Sequence, residues 1–207
     1  MKTYRVNSIF YSLQGEGRNT GRATVFVRFA GCNLRCPFCD TEFDTYTEMT
    51  AEEIIAKAAS LHPSSSTSLT LIVLTGGEPT LQVDEAFVDL LHSAGYEVAM
   101  ESNGTRPAPQ NLDWLTVSPK DGGKWKVESG KRIPDEIKVV FDEHTDEQLS
   151  SFLLPLSTSR RPILFLQPCD TGDPERNATI VKACVEYIKQ HPQWRLSLQT
   201  HKLIGIE

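Results

Sequence analysis

Hydrophobic and polar positions along the chain fall into short runs of two different periods. Runs of strand type recur at 3–8, 24–29, 69–75, 97–101, 115–118, 136–141, 163–167 and 195–199. Several are nearly unbroken in Val, Ile, Leu and Phe, as in Leu71-Ile72-Val73-Leu74. Strands read this way when a parallel sheet is covered on both faces. Helical signals lie between them. Thr50-Ala51-Glu52-Glu53 is a capping box before Ile54-Ile55-Ala56-Lys57-Ala58. Val83, Phe87, Leu90, Leu91 and Ala94 share one helical face, and Gly95 stops that helix. Asp173-Pro174 supplies a cap and a first-turn proline ahead of the stripe Ile180, Val181, Cys184 and Ile188. Residues 145–148 predict one more short helix.

The alternation of strand and helix, with some strands joined by loops alone, predicts an α/β fold: a curved, largely parallel sheet with fewer helices than strands. Residues 64–68 read as a polar loop, not a linker, and 118–123 as a loop at a strand end. No repeat divides the 207 residues, so one domain spanning 1–207 is expected.

Composition narrows the picture. With 39% hydrophobic and 23% charged residues the chain is globular, not disordered. A formal net charge of -6 weighs against non-specific binding of nucleic acid. No apolar run approaches the roughly 18 residues of a membrane span. The opening Met1-Lys2-Thr3-Tyr4-Arg5 does not lead into the apolar stretch of a signal peptide, so a cytoplasmic location is expected.

Of five cysteines, three crowd into Cys32-Asn33-Leu34-Arg35-Cys36-Pro37-Phe38-Cys39, directly after a strand. One tight cluster with an odd total is a poor disulfide framework and a better metal or redox site. Closely spaced thiolates on a loop can wrap an iron–sulfur cluster, and three ligands to a four-iron cluster leave one iron open. A structural zinc site is the rival, but it usually takes four ligands, and no second cysteine pair exists. His62 and His92 stand alone. Cys184, on its apolar stripe, reads as core, and Cys169 reads as a strand-end residue rather than a ligand.

Two further strand ends carry polar, glycine-bearing loops: Thr75-Gly76-Gly77-Glu78-Pro79 and Glu101-Ser102-Asn103-Gly104-Thr105. Glycine there lets a ligand approach the backbone, and Glu78 offers an acceptor for an ammonium group. Ligand sites of parallel α/β proteins gather at this edge of the sheet.

The C-x3-C-x2-C spacing with Gly-Gly-Glu-Pro resembles the radical S-adenosylmethionine superfamily. Adding Leu13-Gln14-Gly15-Glu16-Gly17, Arg28, Cys39-Asp40-Thr41, Ser118-Pro119-Lys120, Leu166-Gln167-Pro168 and Gln199-Thr200-His201-Lys202, the chain resembles the 7-carboxy-7-deazaguanine synthase family from Leu13 onward. The resemblance implies a partial, open β/α barrel of about six core strands with a reduced set of helices. It implies a carbon–nitrogen lyase that takes 6-carboxy-5,6,7,8-tetrahydropterin to 7-carboxy-7-deazaguanine and ammonia on the way to queuosine. The 5′-deoxyadenosyl radical removes hydrogen from C6, the ring contracts, an amino group leaves, and S-adenosylmethionine is regenerated.

The implied cofactors are a [4Fe-4S] cluster on Cys32, Cys36 and Cys39, S-adenosylmethionine, and Mg2+ near Thr41. S-Adenosylmethionine is expected against Phe38, Asp40, Gly77, Glu78, Glu101, Ser102, Ser118, Lys120, Gln167 and Asp170. The substrate is expected against Leu13, Gln14, Gly15, Arg28, Thr75, His201 and Glu207. Arg28, between Val27 and Phe29, suits the substrate carboxylate as a bidentate fork. Glu16 either joins them or fixes its loop. Some relatives end in proline where this chain reads Ile206-Glu207, and the terminal carboxylate is expected near the substrate. The family further implies a homodimer and an electron donor such as flavodoxin or ferredoxin. A glycyl-radical activating enzyme would share the cysteine and glycine motifs but lack Gln14–Gly17 with Cys39-Asp40-Thr41. Cys32→Ala, Cys36→Ala or Cys39→Ala is each expected to abolish iron binding and turnover, whereas Cys184→Ala keeps both; iron and sulfide analysis of the anaerobically purified variants checks this.

Overall fold

The computed structural model describes residues 2–42, 44–62, 69–120, 132–142, 149 and 161–206. The helix expected at 145–148, the polar loop 64–68, the end of the loop at 121–123 and Glu207 lie outside them. The strands are β1 (Thr3–Leu13), β2 (Ala23–Phe29), β3 (Thr47–Thr50), β4 (Thr70–Gly76), β5 (Tyr96–Ser102), β6 (Trp114–Val117), β7 (Glu136–Phe141), β8 (Ile163–Pro168) and β9 (Trp194–Leu196). They form one open nine-stranded sheet in the order β3-β1-β2-β4-β5-β6-β7-β8-β9. From β2 through β9 every pairing is parallel, while β1 runs antiparallel to both β2 and β3. The sheet is thus mixed and wider than the six strands expected. The extra strands are the edge strand β3, the long antiparallel β1 and the short last strand β9.

The helices whose bounds lie within the described residues are α1 (Ala51–Leu61), α2 (Glu85–Ser93), α3 (Pro174–Gln190) and the short α4 (Thr200–Ile204). The capping box opens α1: Glu53 N–H donates to Thr50 Oγ1 at 3.3 Å and Thr50 N–H to Glu53 Oε2 at 2.8 Å. Asp84 and Asp173 cap α2 and α3. Helices α1 and α2 pack Ile54, Ala58, Phe87 and Leu91 onto Val25, Val27, Ile72, Leu74, Val98 and Met100. Helix α3 packs Ile180 and Cys184 onto Ile137, Val139 and Leu166. Burial pushes the Cys184 thiol up to about 12, as befits a core cysteine. Leu90 departs from its expected stripe and is 44% exposed.

These three helices cover one face of the sheet. Strand alternation sends the other set of side chains inward. There Phe26, Leu71, Val73 and Ala99 form a smaller apolar floor with Phe10 and Trp114. Toward the carboxyl ends of the same strands the inward residues turn polar: Arg28, Thr75, Glu101, Thr116 and Lys138. Strand β1 joins this face through a bulge between Val6 and Ser8. Tyr4 and Val6 point to the helices before it, and Phe10 stacks on Phe26 at 4.9 Å after it. An inserted residue inverts the parity of everything downstream. That is why the alternation read from sequence stopped at Ser8 although the strand continues to Leu13. The last strand also differs, ending at Leu196; beyond it the Ser197 hydroxyl donates to Gln167 Oε1 and Gln199 Nε2 to Glu16 Oε1.

The glycine pair at the end of β4 is required by the close approach of the chain itself. A Cβ on Gly76 would lie 2.3 Å from the Phe29 carbonyl oxygen, and one on Gly77 2.0 Å from that of Gly31. In their place Gly77 N–H donates to Phe29 O and Glu78 N–H to Gly31 O, both at 2.9 Å. The cysteine loop is thereby pinned to the end of β4. Gly77→Ala is expected to cost about 1–3 kcal/mol through overpacking against backbone, seen as a Tm loss of roughly 2–4 °C per kcal/mol, together with poor iron loading. Gly95→Ala, where a Cβ meets nothing within 4 Å and the cost is only the backbone strain of a φ of +88°, should load iron normally.

Candidate active site

The concave face and the carboxyl edge of the sheet enclose a cavity of about 610 Å³. That volume lies within the range of small-molecule and cofactor sites. Cys32, Cys36 and Cys39 stand on one wall of it, and all five cysteines are free thiols. Their loop carries no regular structure beyond a turn in which Cys39 N–H donates to Cys36 O at 3.1 Å. Among the described residues, no three His, Cys, Asp or Glu side chains converge as they would around a single metal ion. A lone zinc ion draws its donors to about 2.0–2.3 Å from one point. Three thiolates from one loop can hold a multi-iron cluster.

The other residues singled out from sequence nearly all line the same cavity: Leu13, Gln14, Gly15, Arg28, Phe38, Asp40, Thr41, Thr75, Gly77, Glu101, Ser102, Ser118, Lys120, Gln167, Asp170 and His201. Glu78 does not. It is fully buried, and its carboxylate accepts from Thr80 N–H at 3.0 Å, Thr80 Oγ1 at 2.6 Å, Ser102 Oγ at 2.9 Å and Asn103 N–H at 2.7 Å. A carboxylate so satisfied joins two loops and offers nothing to an ammonium group. Glu207 lies outside the described residues.

Glu101 also stands apart from its expected neighbours. It is an inward residue of β5, and its carboxylate accepts from Gln14 Nε2 at 2.9 Å and lies 3.5 Å from Thr75 Oγ1. It thus keeps company with the residues expected to meet substrate. Arg28 stacks its guanidinium 5.3 Å over the Phe10 ring, with no hydrogen bond or ion pair to the described residues. Gly15 is covered by α4: a Cβ there would meet His201 Nδ1 at 2.1 Å. Thr200 N–H and Oγ1 both donate to Gly15 O, at 3.0 and 2.9 Å.

A buried polar network crosses the floor. Lys138, 5% exposed in the middle of β7, forms an ion pair with Glu16. Glu16 Oε1 also accepts from Gln167 Nε2 at 3.1 Å and Gln199 Nε2 at 3.0 Å. Burial alone would raise the Glu16 carboxyl, but Lys138 and the hydrogen bonds hold it below the usual range. Burial likewise opposes the Lys138 ammonium, and Glu101 and Glu16 outweigh it and raise its pKa. Lys120 forms no ion pair with a described carboxylate, and the pull of Cys36, Glu16 and Glu101 on it is the smaller effect. Burial, then repulsion from Lys138, push it down, and its Nζ donates to Ser118 Oγ at 2.9 Å. Further out, Lys202 clamps Asp40 at 2.7 Å and Asp170 at 2.9 Å. The hydrogen bond from Lys202, with those from Gly172 and Asn177, lowers Asp170 to about 2.

Lys138 and Glu136 escaped the sequence reading. The signal was present, because a lysine between Ile137 and Val139 in a buried-type strand obeys the argument that selected Arg28.

Residues 26–121 match the family model described as the radical SAM superfamily. A protein of Bacteroides thetaiotaomicron named 7-carboxy-7-deazaguanine synthase is 47% identical over 203 residues, 98% of each chain. The chain belongs to the 7-carboxy-7-deazaguanine synthase family. A relative of that name from Bordetella pertussis is 43% identical, covering 98% of this chain and 99% of its own. The crystal structure of QueE from Escherichia coli superposes with a TM-score of 0.76 at 27% identity, covering 95% of this chain and 93% of that one. As a member of this family the chain is a radical S-adenosylmethionine lyase. The open partial barrel expected from the resemblance is the fold observed, with the sheet left unclosed.

Lys138→Met is expected to destabilise the fold by about 3–5 kcal/mol, because it strands a buried charge. Without Lys138, burial raises the Glu16 carboxyl above its unfolded value of about 4.3. The variant's deficit should therefore grow as pH rises through that raised value and shrink below about 4.3. The double variant Glu16→Gln/Lys138→Met should recover much of the loss. Urea unfolding of all three proteins at pH 5 and pH 8 measures it.

Proposed function

We propose that the chain contracts 6-carboxy-5,6,7,8-tetrahydropterin to 7-carboxy-7-deazaguanine with release of ammonia. The observation that carries this reading is Arg28: a guanidinium held on an aromatic ring, facing the cysteine-walled cavity, with no carboxylate of the described residues on it. Such a fork takes a carboxylate in two parallel hydrogen bonds. In the same cavity Glu101, Gln14 and Thr75 present acceptors and donors that a polar heterocycle can use, and Lys138 offsets the Glu101 charge. Phe10 and Phe26 close the floor against water.

When bound, the cluster and S-adenosylmethionine supply a 5′-deoxyadenosyl radical. The chain's own residues do the positioning, which for a radical that reacts with whatever lies nearest decides the product. Cys32, Cys36 and Cys39 would hold the cluster. Gly77, Ser102, Ser118, Lys120, Gln167 and Asp170 line the cavity and would meet S-adenosylmethionine. Arg28 and Glu101 anchor opposite ends of the substrate and so fix its C6. Magnesium is hard, favours oxygen and keeps several waters. Thr41, on the same wall as the cysteines, would hold it with the substrate carboxylate.

A small-molecule substrate, a flavodoxin or ferredoxin donor, a homodimer and a cytoplasmic setting complete the reading. Five free cysteines suit a reducing compartment, and no helix of the described residues is long and apolar enough to cross a membrane. Leu203 and Ile204, 71% and 61% exposed on α4, offer apolar surface to a second copy. A glycyl-radical activating enzyme would need room for a peptide backbone, and a charged inner wall suits a small polar ring better.

The decisive test is anaerobic incubation of the reconstituted protein with carboxytetrahydropterin, S-adenosylmethionine and magnesium; 5′-deoxyadenosine without deazaguanine product would point to another radical enzyme. Arg28→Lys keeps the charge and loses the fork. Substrate affinity should fall by about 1–3 kcal/mol, roughly 5–150-fold, with S-adenosylmethionine affinity little changed. Equal loss of both would assign Arg28 to the fold or the cluster.

A further inference from the structure

Asn103 directly follows β5, is 8% exposed, and still reaches the cavity beside the cysteine loop. Its amide has one allowed orientation. Oδ1 accepts from the backbone N–H of Thr105 at 3.0 Å and from Thr105 Oγ1 at 2.6 Å. A backbone N–H can only donate, so the atom it meets is the oxygen and the other is the nitrogen. Nδ2 then donates to Asn33 Oδ1 at 3.0 Å and lies 3.9 Å from Cys32 Sγ. Asn33 Nδ2 in turn donates to Thr105 Oγ1 at 2.8 Å, closing a ring of three side chains beside that cysteine. The Leu34 N–H, 3.4 Å from Cys32 Sγ, adds a second donor to the same sulfur.

The frame beneath is Glu78. Its Oε2 takes the Asn103 N–H, and its Oε1 takes the Ser102 hydroxyl and both donors of Thr80. Glu78 N–H is itself fixed to Gly31 O, one residue before Cys32. The glutamate thus holds the Asn103 backbone and the cysteine loop in one rigid unit. That accounts for a fully buried carboxylate with no access to the cavity.

We infer that Asn103 is a positioning residue for the iron–sulfur cluster: its amide N–H, set on the Cys32 sulfur by Thr105 and Glu78, raises the cluster's reduction potential. The inference rests on the cluster reading of the three cysteines. Donors aimed at a cysteine sulfur favour the more negative, reduced state, and hydrogen bonds to sulfur are among the main determinants of such potentials. The couple is a one-electron reduction with dithionite as the reductant; no bond forms or breaks and no proton moves.

Asn103→Asp keeps the size and the acceptor for Thr105 but puts a carboxylate oxygen in place of the donor. Thr105→Val leaves Asn103 intact and releases its lock. Parent and both variants are reconstituted anaerobically, assayed for iron and sulfide, and titrated with dithionite under mediators, with the reduced cluster counted by electron paramagnetic resonance. S-Adenosylmethionine affinity is measured on the oxidised proteins by equilibrium dialysis. Asn103→Asp should carry a full cluster. Its reduced-to-oxidised ratio at the parent's midpoint should fall about tenfold, which is roughly 59 mV for one electron. Thr105→Val should shift the same way by less, and both should bind S-adenosylmethionine as the parent does. Unchanged potentials with weakened S-adenosylmethionine binding would overturn the inference and assign Asn103 to the nucleoside. Loss of cluster from both variants would also overturn it, making the ring a building element of the loop. If only Asn103→Asp loses its cluster, the Thr105→Val potential decides, and no shift there sinks the inference. A parent that binds no iron would instead refute the cluster reading itself.

Discussion

The buried pair of Glu16 and Lys138 is the constraint to which the rest of the concave face answers. Removing either charge from water costs several kcal/mol, and a lone survivor would be untenable at that depth. The pair is tolerated because Glu16 is also given two amide donors, Gln167 and Gln199. Those donors come from β8 and from the segment beyond β9, while Lys138 comes from β7 and Glu16 from the turn after β1. One carboxylate thus gathers four separate parts of the chain around the cavity. From Gln199 the network runs on to Asp40, next to the last cysteine, and through Lys202 to Asp170. The position of the cysteine loop is in this way coupled to the packing of the opposite wall.

Much of this was legible in the sequence, and the reasons for the rest are physical. Unbroken runs such as Leu71–Leu74 announced strands covered on both faces, and both faces are covered. The outer one lies under helices; the inner one carries Phe10, Phe26 and Trp114. Arg28 stood out because its neighbours are apolar. Lys138 meets the same test and was passed over because no motif surrounds it. Glu101 was read from its motif as a cofactor residue, whereas strand parity turns it inward to Gln14 and Thr75. The bulge in β1 inverts that parity, and nothing in Asn7-Ser8 marks it. The edge strand β3 carries no strong alternation and exists because β1 offers it a partner.

The glycine pair at β4 shows how a correct motif can carry a different physics. Small residues at a strand end were read as room for a ligand. What comes close is the chain itself, Phe29 and Gly31, near enough that no side chain fits. The motif's glutamate is likewise an internal clamp. Motif spacing located the site, and only contacts between loops distant in sequence reveal which members touch ligand and which hold those that do.

The sheet is laid down almost in chain order, so most strands pair with a neighbour in sequence. The seam between Gly15 and Thr200 is different, spanning 185 positions. On a ribosome adding about 5–20 residues per second, the 159 residues between Asp40 and Gln199 take roughly 8–30 s to appear. Throughout that interval the three thiols are already made, but the far wall of their chamber does not yet exist. A cluster inserted then would face open solvent and oxygen. The geometry therefore favours metal loading after release, and it makes truncation near the end of translation a way to produce a chain with every cysteine and no enclosed chamber.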